Sequence, residues 1–343
     1  MGTVQGKATV SPSWRLTETG TTSLLFAVDV VDSNTVWAAG GVGTPGVVVR
    51  TTDGGQSWRD VTPPGGDTLD FHDVEAFDRD HAVVLAVGLG DPSRIYHTDD
   101  GGSSWRLAFQ NTEADAFYDS MAFFDQRHGL ALSDPVGGFF RLVTTEDGGR
   151  TWRIATTKGM PPAITNDGGE PPEFAHATGT SLVTAGPRDA WFGTDLLAGS
   201  SRVFHTRDRG RTWTVTTSPI PGEPEFGIAS FSFRDHRHGL ALGGGVLETD
   251  VPSVVAVTTD GGETWSREGS LSGFRIGIAR VPTNTNEAAV AVGPTGSEIS
   301  TDGGRHWALF DETDLRSINC RPHVPCWAVG KDGMAAELTL TKG

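Results

Sequence analysis

The chain has 343 residues, a formal net charge of −16 and a pI near 4.9. This excess of acidic groups argues against a general attraction to nucleic acid or to an anionic membrane surface. With 46 glycines, 19 prolines and only 4 methionines, the composition favours many tight turns between short strands over long amphipathic helices. We therefore predict an all-β protein with no nucleic-acid partner and no insertion into a membrane.

Seven short apolar strands recur along the chain, each ending in Gly, Ser or Thr. They occupy residues 36–40, 84–88, 129–133, 190–194, 239–243, 289–293 and 326–330. Apolar residues on both faces of a strand are expected when the strand is sandwiched between neighbouring sheets. The seven copies therefore predict seven sheets packed against one another.

A second repeat, Ser/Thr-x-Asp-x-Gly-x-Ser/Thr-Trp, follows each of the first six apolar strands. Its aspartates are Asp53, Asp100, Asp147, Asp208, Asp260 and Asp302, and only the last copy departs from the pattern, with His306 in place of a hydroxyl residue. We interpret the repeat as a β-hairpin turn in which Asp accepts backbone N–H groups, Gly takes a positive φ and Trp starts the returning strand. Consecutive aspartates lie 42 to 61 residues apart, a spacing typical of four-stranded propeller blades.

Seven apolar strands against six Asp turns leave the last blade one strand short. Residues 10–17 contain Ser13-Trp14-Arg15, the same start as the predicted outer strand at Ser57-Trp58-Arg59. We predict that this N-terminal strand pairs with the strand near residues 335–340 and closes the ring, because closure removes an exposed sheet edge. The predicted fold is a seven-bladed β-propeller of four-stranded antiparallel blades, forming a single domain over residues 1–343.

The turns match the Asp-box, or bacterial neuraminidase repeat, and the blade sequence resembles the photosystem II assembly and stability factor family and its relatives in non-photosynthetic bacteria. The resemblance covers nearly the whole chain and implies a seven-bladed, non-catalytic and usually exported assembly factor. Asp-boxes also occur in sialidases, other glycosidases and sorting receptors. The family carries an arginine at the start of inner strands, which Phe274-Arg275 and Leu315-Arg316 match. At the same register the other blades have Leu25, His72, Tyr118, Ala175 and Gly227.

We expect a ligand to bind where the inner strands begin, on the face of the ring away from the Asp turns. The residues predicted to bind it there are His72, Asp73, Tyr118, His176, Arg275 and Arg316. The two arginines, facing carboxylates and a tyrosine across the mouth, predict a cup that holds an anionic group on one side. The competing interpretation is that these charges only solvate the rim and pair with one another.

Two functions from different classes are compatible with this cup. The first is a monomeric, non-catalytic binding or assembly propeller that recognises a protein segment or a small ligand. The alternative is a glycosidase-like hydrolase or lyase acting on a carbohydrate or other small substrate, with Tyr118, Asp119, Glu173 and Glu225 as candidate catalytic residues. A sialidase would need a Tyr/Glu pair and three arginines, and the chain has two tyrosines and two matching arginines. We expect no cofactor and no metal site, because histidines such as His128 and His238 recur at equal positions of different blades, as turn residues do.

The two cysteines, Cys320 and Cys326, are too few for a zinc site built from thiolates. They form either a local disulfide or two free thiols. If they lie on adjacent strands of a hairpin, a disulfide is geometrically reasonable and points to an oxidising compartment. Residues 1–9 contain no apolar signal core. We expect an exported protein whose signal is absent from this sequence, with a cytoplasmic location as the alternative.

Overall fold

The computed structural model describes residues 10–164, 173–195, 199–222, 226–245, 251–284 and 287–342. Within these ranges the regular structure consists of β-strands and two short 3-10 turns, Gly66–Thr68 and Lys331–Gly333. The all-β prediction is therefore confirmed. Antiparallel pairing arranges the strands in seven consecutive groups.

The first three groups each contain four strands. The first group is β2 (Leu25–Val30), β3 (Val36–Gly40), β4 (Val47–Thr51) and β5 (Arg59–Asp60). The second group is β6 (Asp70–Ala76), β7 (Ala82–Val87), β8 (Arg94–Thr98) and β9 (Arg106–Gln110). The third group is β10 (Tyr118–Phe123), β11 (Gly129–Val136), β12 (Phe139–Thr145) and β13 (Arg153–Ile154).

The fourth group differs, because its innermost strand is split in two. It contains β14 (Phe174–Ala175), β15 (Leu182–Ala185), β16 (Asp189–Asp195), β17 (Gly199–Thr206) and β18 (Thr214–Gly222). Both β14 and β15 pair with β16, at opposite ends of that strand. The sequence places Ala175 at the start of this inner strand, and the chain leaves the ladder between the two pieces.

The last three groups complete the arrangement. The fifth group is β19 (Phe226–Phe233), β20 (Gly239–Gly245), β21 (Val254–Thr258) and β22 (Ser266–Ser270). The sixth group is β23 (Gly277–Arg280), β24 (Ala289–Gly293), β25 (Gly296–Ser300) and β26 (Ala308–Asp311). The seventh group is β27 (Leu315–Asn319), β28 (Trp327–Gly330), β29 (Met334–Lys342) and the N-terminal strand β1 (Val10–Glu18).

The predicted closure by the N-terminal strand is found. β1 pairs antiparallel with β29 along its whole length, with Trp14 opposite Leu338 and Thr17 opposite Ala335. The Trp14 indole also donates a hydrogen bond to Ser297 Oγ in the sixth group, over 3.0 Å. Each innermost strand contacts the innermost strand of the next group, and the cycle returns from β27 to β2. The arrangement is the closed ring of a β-propeller.

The core lies between neighbouring groups, which explains why the second strand of each group is apolar on both faces. Every residue of β3, β7 and β24 is buried. One hydrophobic cluster joins Trp37 of the first group to Phe71 and Val84 of the second. Packing of each sheet on the next therefore positions the inner strands around a central channel.

Each Asp turn is held by the same set of hydrogen bonds. In the first turn, Asp53 accepts the backbone N–H of Ser57 at 2.9 Å and the Ser57 hydroxyl at 2.5 Å. The Thr51 hydroxyl donates to Asp53 at 2.8 Å and accepts the N–H of Gly55, whose φ is +77°. In the sixth turn the His306 ring, with Nδ1 2.6 Å from Asp302 Oδ2, takes the place of the missing hydroxyl. The turn therefore tolerates any side chain that can donate to the second carboxylate oxygen.

Cys320 and Cys326 form a disulfide across the β27–β28 hairpin, with Cα atoms 4.3 Å apart. Cys320 directly follows β27, and Cys326 directly precedes β28. This is the adjacent-strand geometry that the sequence predicts for a bridge.

We expect loss of Trp14 to harm the ring as much as loss of its counterpart Trp265 in the fifth turn. Trp14→Ala removes packing between the sixth and seventh groups and an indole hydrogen bond, and we expect it to lower the free energy of unfolding by roughly 3 kcal/mol, the lower end for an aromatic core residue. Leu16→Ala, at an exposed position of the same strand, should cost less than about 0.5 kcal/mol. Urea unfolding of the three variants tests this. Equal stability of Trp14→Ala and wild type would show that β1 does not close the ring.

We expect Asp260→Ala to destabilise the protein in a pH-dependent way. Burial alone would raise the pKa of Asp260, but hydrogen bonds from the hydroxyl and N–H of Thr264 and from Thr258 outweigh it and lower the pKa to about 2. A carboxyl whose folded-state pKa is depressed stabilises the fold above its unfolded pKa and loses that contribution as the pH falls towards 2. Asp260→Ala should therefore cost about 1–3 kcal/mol at pH 7 and progressively less between pH 4 and pH 2. A penalty that does not vary over this range in chemical denaturation would contradict the role of the ionised carboxylate.

Candidate functional site

The innermost strands share a β-bulge near their first residues, on the face of the ring away from the Asp turns. The pairing register shifts at this position in five of the groups. The extra residues are Phe26, His72, Asp119, Ala229 and Arg316. A bulge leaves one residue out of the ladder and re-aims its side chain. The bulges therefore place side chains that differ from one group to the next at the mouth of the central channel.

One part of the mouth is apolar. Phe26 of the first group, Ala229 of the fifth and Phe274 and Ile276 before the sixth are buried in one cluster. Because these residues come from different groups of the ring, they meet around its axis. The Phe26 ring also contacts the His72 ring, with centroids 4.8 Å apart. The apolar cluster therefore borders the polar part of the mouth directly.

The polar part of the mouth contains His72, held in one orientation by the backbone. Its Nδ1 lies 2.8 Å from the carbonyl oxygen of Ala177. Burial, together with the neighbouring His176, lowers the pKa of His72 to about 4 even though the Ala177 carbonyl acts in the opposite direction. At neutral pH His72 is therefore an uncharged ring at the edge of the channel.

Beside it, three carboxyl groups and one histidine form what we term the acidic pocket: Asp119, Asp134, His176 and Asp195. His176 Nδ1 lies 2.7 Å from Asp195 Oδ2, and Asp134 Oδ1 accepts the N–H of Ala175 at 2.9 Å. Asp119 is 2% exposed, and burial followed by the charges of Asp134 and Asp195 raises its pKa well above the usual value. Burial and Asp195 also raise the pKa of Asp134 to about 7. Asp134 therefore changes its protonation state near neutral pH.

The predicted catalytic residues do not come together in one place. Tyr118 is fully buried in the core between the second and third groups, where its ring meets Phe109 edge-on with centroids 5.2 Å apart. Glu173 is also fully buried and forms an ion pair with Arg202, whose Nε lies 2.9 Å from Oε1. Asp119 lies in the acidic pocket. Glu225 falls outside the described residues.

Both predicted arginines already have partners within the chain. Arg275 is buried and forms an ion pair with the buried Glu298, 2.9 Å from Nη2 to Oε1. The half-buried Arg316 forms two hydrogen bonds with Asp314, at 2.7 and 3.1 Å. Their positive charges are therefore balanced without a ligand, which agrees with the interpretation that the mouth charges pair with one another.

Asp73 belongs to a series of side chains that join neighbouring inner strands inside the channel. Its Oδ2 accepts the N–H of Met121 in β10 at 2.7 Å, and Asp29 of β2 accepts the N–H of Ala76 in β6 at 2.8 Å. Arg321 forms an ion pair with Asp29 over 2.8 Å. Asp29 and Asp73 line a cavity of about 30 Å³, which is large enough to hold an ordered water molecule.

The sequence leaves Asp134 and Asp195 equally open as turn formers or as ligands, because each follows a predicted apolar strand where a turn-forming aspartate is common. The one available signal is that both stand at the mouth end of second strands, β11 and β16. Within the described ranges, no group of three or more His, Cys, Asp or Glu residues is arranged to hold a metal ion. No helix in those ranges has the length and apolar character needed to cross a membrane.

Comparison with family models gives two matches. The model of the photosynthesis system II assembly factor YCF48 matches residues 6–113, and the BNR/Asp-box repeat matches residues 256–267. The chain resembles the YCF48 assembly factor family. No curated protein matches it in sequence.

Solved structures show the same fold over nearly the whole chain. YCF48 from Cyanidioschyzon merolae is 16% identical with a TM-score of 0.65, covering 95% of this chain and 98% of that one. YCF48 bound to D1 peptide is 17% identical with a TM-score of 0.61, covering 94% and 96%. The GH74 xyloglucanase from Xanthomonas campestris is 16% identical with a TM-score of 0.61, covering 94% of this chain and 53% of that one. The fold is thus shared by binding propellers and by a glycosidase.

We expect Glu173→Gln to act on stability, because Glu173 balances the charge of Arg202. Breaking a buried ion pair typically costs about 3–5 kcal/mol, and we expect about 3 kcal/mol here because the Arg202 side chain keeps 17% exposure. The double variant Glu173→Gln/Arg202→Met removes both charges and should recover part of this loss. Urea unfolding measures both, and a Glu173→Gln protein as stable as wild type would contradict the structural role.

Proposed function

We propose that this protein is a non-catalytic propeller whose channel mouth binds a segment of another protein. The observation that carries the proposal is the set of bulges at the starts of the inner strands. They bring an apolar side chain, Phe26, next to a neutral histidine, His72, and close to the acidic pocket. A peptide offers apolar, hydrogen-bonding and charged groups within a few residues, and it is the ligand class that fits such a varied surface.

The state of the catalytic candidates supports a binding role over a hydrolase. Two carboxyl groups on either side of a sugar are the usual requirement for glycoside hydrolysis. Glu173 is fully buried in its pair with Arg202, and Asp119 has only 2% exposure. A carboxyl so enclosed has little contact with a sugar ring, although its raised pKa is a property that general acids share.

The similarity to known structures also supports a protein ligand. YCF48, whose fold this chain shares, has been solved with a D1 peptide bound. At 17% identity the similarity establishes the fold, and the ligand of this chain is inferred from its own mouth residues. The Cys320–Cys326 disulfide supports placement in an oxidising compartment outside the cytoplasm.

Selection from a displayed library of random peptides tests the proposal. We expect wild type to enrich a common sequence motif, and the affinity of a selected peptide should fall at least tenfold in His72→Ala. Glu146→Gln, an exposed change next to the third Asp turn on the opposite rim, is the control and should bind as wild type does.

Two results would overturn the proposal. One is that no motif is enriched, or that the selected peptides bind His72→Ala and wild type equally. The other is turnover of an oligosaccharide that is abolished by Asp119→Asn, which would make the protein a hydrolase.

A further inference from the structure

The acidic pocket contains more hydrogen-bond acceptors than donors. Its three carboxyl groups carry six oxygen atoms, and the described donors to Asp134 and Asp195 are the N–H of Ala175 and the His176 ring. Asp119 Oδ2 and Asp195 Oδ1 are buried and have no hydrogen-bond partner. Buried polar atoms are nearly always paired in native proteins, and an orphaned one needs an explanation. The pocket is therefore incomplete as the chain alone builds it.

The two orphaned oxygens belong to side chains that are more than nine-tenths buried. Asp119 is 2% exposed and Asp195 is 7% exposed, whereas Asp134 is half-buried and meets solvent. Asp119 therefore lies at the back of the pocket and Asp134 at its opening. A group that enters past Asp134 approaches Asp195 and the charge of Asp119.

The charged and titratable groups facing Asp119 come from several elements. Asp134 from β11 and Asp195 from β16 act on Asp119 directly, whereas His176, after β14, acts on Asp134 and on His72 of β6. Asp73 in β6 also approaches this strand, but its Oδ2 is bonded to the N–H of Met121. The arginines expected at the mouth are occupied, Arg275 with Glu298 and Arg316 with Asp314. Together with Asp119, these groups supply three potential negative charges and no permanent positive charge.

We propose that the acidic pocket binds a basic side chain of the segment held at the mouth, a guanidinium or ammonium group seated against Asp134 and Asp195 in front of Asp119. This inference rests on the proposed function and specifies its ligand. A cation with several N–H donors suits the pocket, since it can hydrogen-bond to the solvent-facing Asp134 carboxylate, and its charge offsets those of the buried Asp195 and Asp119 behind it. Guanidinium fits best, because its flat fork can reach two carboxylates at once.

Binding of a cation must displace protons from the pocket. Burial and mutual repulsion raise the pKa of Asp119 well above its usual value and the pKa of Asp134 to about 7. A cation favours the ionised form of Asp134. Its affinity should therefore increase as the pH rises past about 7. Each proton released makes the affinity rise by up to about tenfold per pH unit.

Calorimetry with N-acetyl-arginine amide tests the inference, with N-acetyl-citrulline amide as the neutral probe of the same shape. We expect the arginine probe to bind at least tenfold more tightly than the citrulline probe at pH 8. The measured heat at pH 7 should differ between phosphate and Tris buffers because protons are released. Asp134→Asn and Asp119→Asn should each weaken arginine binding at least tenfold, and Glu146→Gln should not. Asp134→Asn keeps the test valid if the deeper variant fails to fold.

Equal binding of the two probes, or full affinity in both Asp→Asn variants, would overturn the inference. Peptides that are selected by wild type and depend on His72 but contain no Lys or Arg would also overturn it, and they would leave the proposed function standing. Arginine binding that depends on Asp134, in a protein that enriches no peptide, would support the cation pocket and overturn the wider proposal. The two ideas therefore fail separately.

Discussion

The pairing of the two chain ends is the constraint on which the rest of the structure depends. β1 and β29 are more than 300 residues apart in sequence and share a nine-residue antiparallel ladder. Without it the seventh group would lack its outer strand, and β29 would present an unpaired edge. The hydrogen bond from the Trp14 indole to Ser297 then holds the seventh group against the sixth. A ring closed in this way fixes the positions of the inner strands, and with them the side chains at the mouth.

Inside the ring, neighbouring inner strands are joined by side chains in place of a backbone ladder. The side chain of Asn319 accepts the backbone N–H of Val30. In the same way, Asp29 accepts the N–H of Ala76, and Asp73 accepts the N–H of Met121. The cost is a row of buried carboxyl groups along one channel, and burial raises the pKa of Asp29 and of Asp73. The acidic pocket at the mouth adds further carboxyl groups, and one of them, Asp134, likewise joins two groups of strands by accepting the N–H of Ala175.

The sequence predicts the repeating parts of this fold well and the site poorly, for one physical reason. The Asp turns and the apolar second strands are local, because each depends on residues within one hairpin, as with Asp53 and Ser57. The site depends on register and on distant partners. Alignment of the inner strands placed Tyr118 at the mouth. In the structure the bulge turns Asp119 towards the mouth and leaves Tyr118 in the core. A shift of one residue in a strand moves its side chains to the opposite face of the sheet.

Distant partners account for the other differences. Glu173 and Arg275 look available in the sequence, yet Arg202 and Glu298, more than 20 residues further along, balance their charges. The split between β14 and β15 was not predicted either, although Gly179 lies between the two pieces and a glycine inside a strand often marks an irregularity. Pattern reasoning therefore identified where the inner strands begin, but not which of their side chains are buried or already paired.

The disulfide links this electrostatic arrangement to redox chemistry. Cys320 and Cys326 close a short loop that contains Arg321. The guanidinium of Arg321 reaches both the Asp29 carboxylate and the Ala76 carbonyl oxygen, at 2.8 and 3.1 Å, and so spans from the seventh group to the first and second. Reduction of the disulfide would free that loop. It would also weaken the hold on the Arg321 guanidinium, whose charge offsets that of the Asp29 carboxylate. The covalent bond of one hairpin thus helps to hold the cation that offsets the Asp29 carboxylate, and its reduction would change the balance of charge inside the channel.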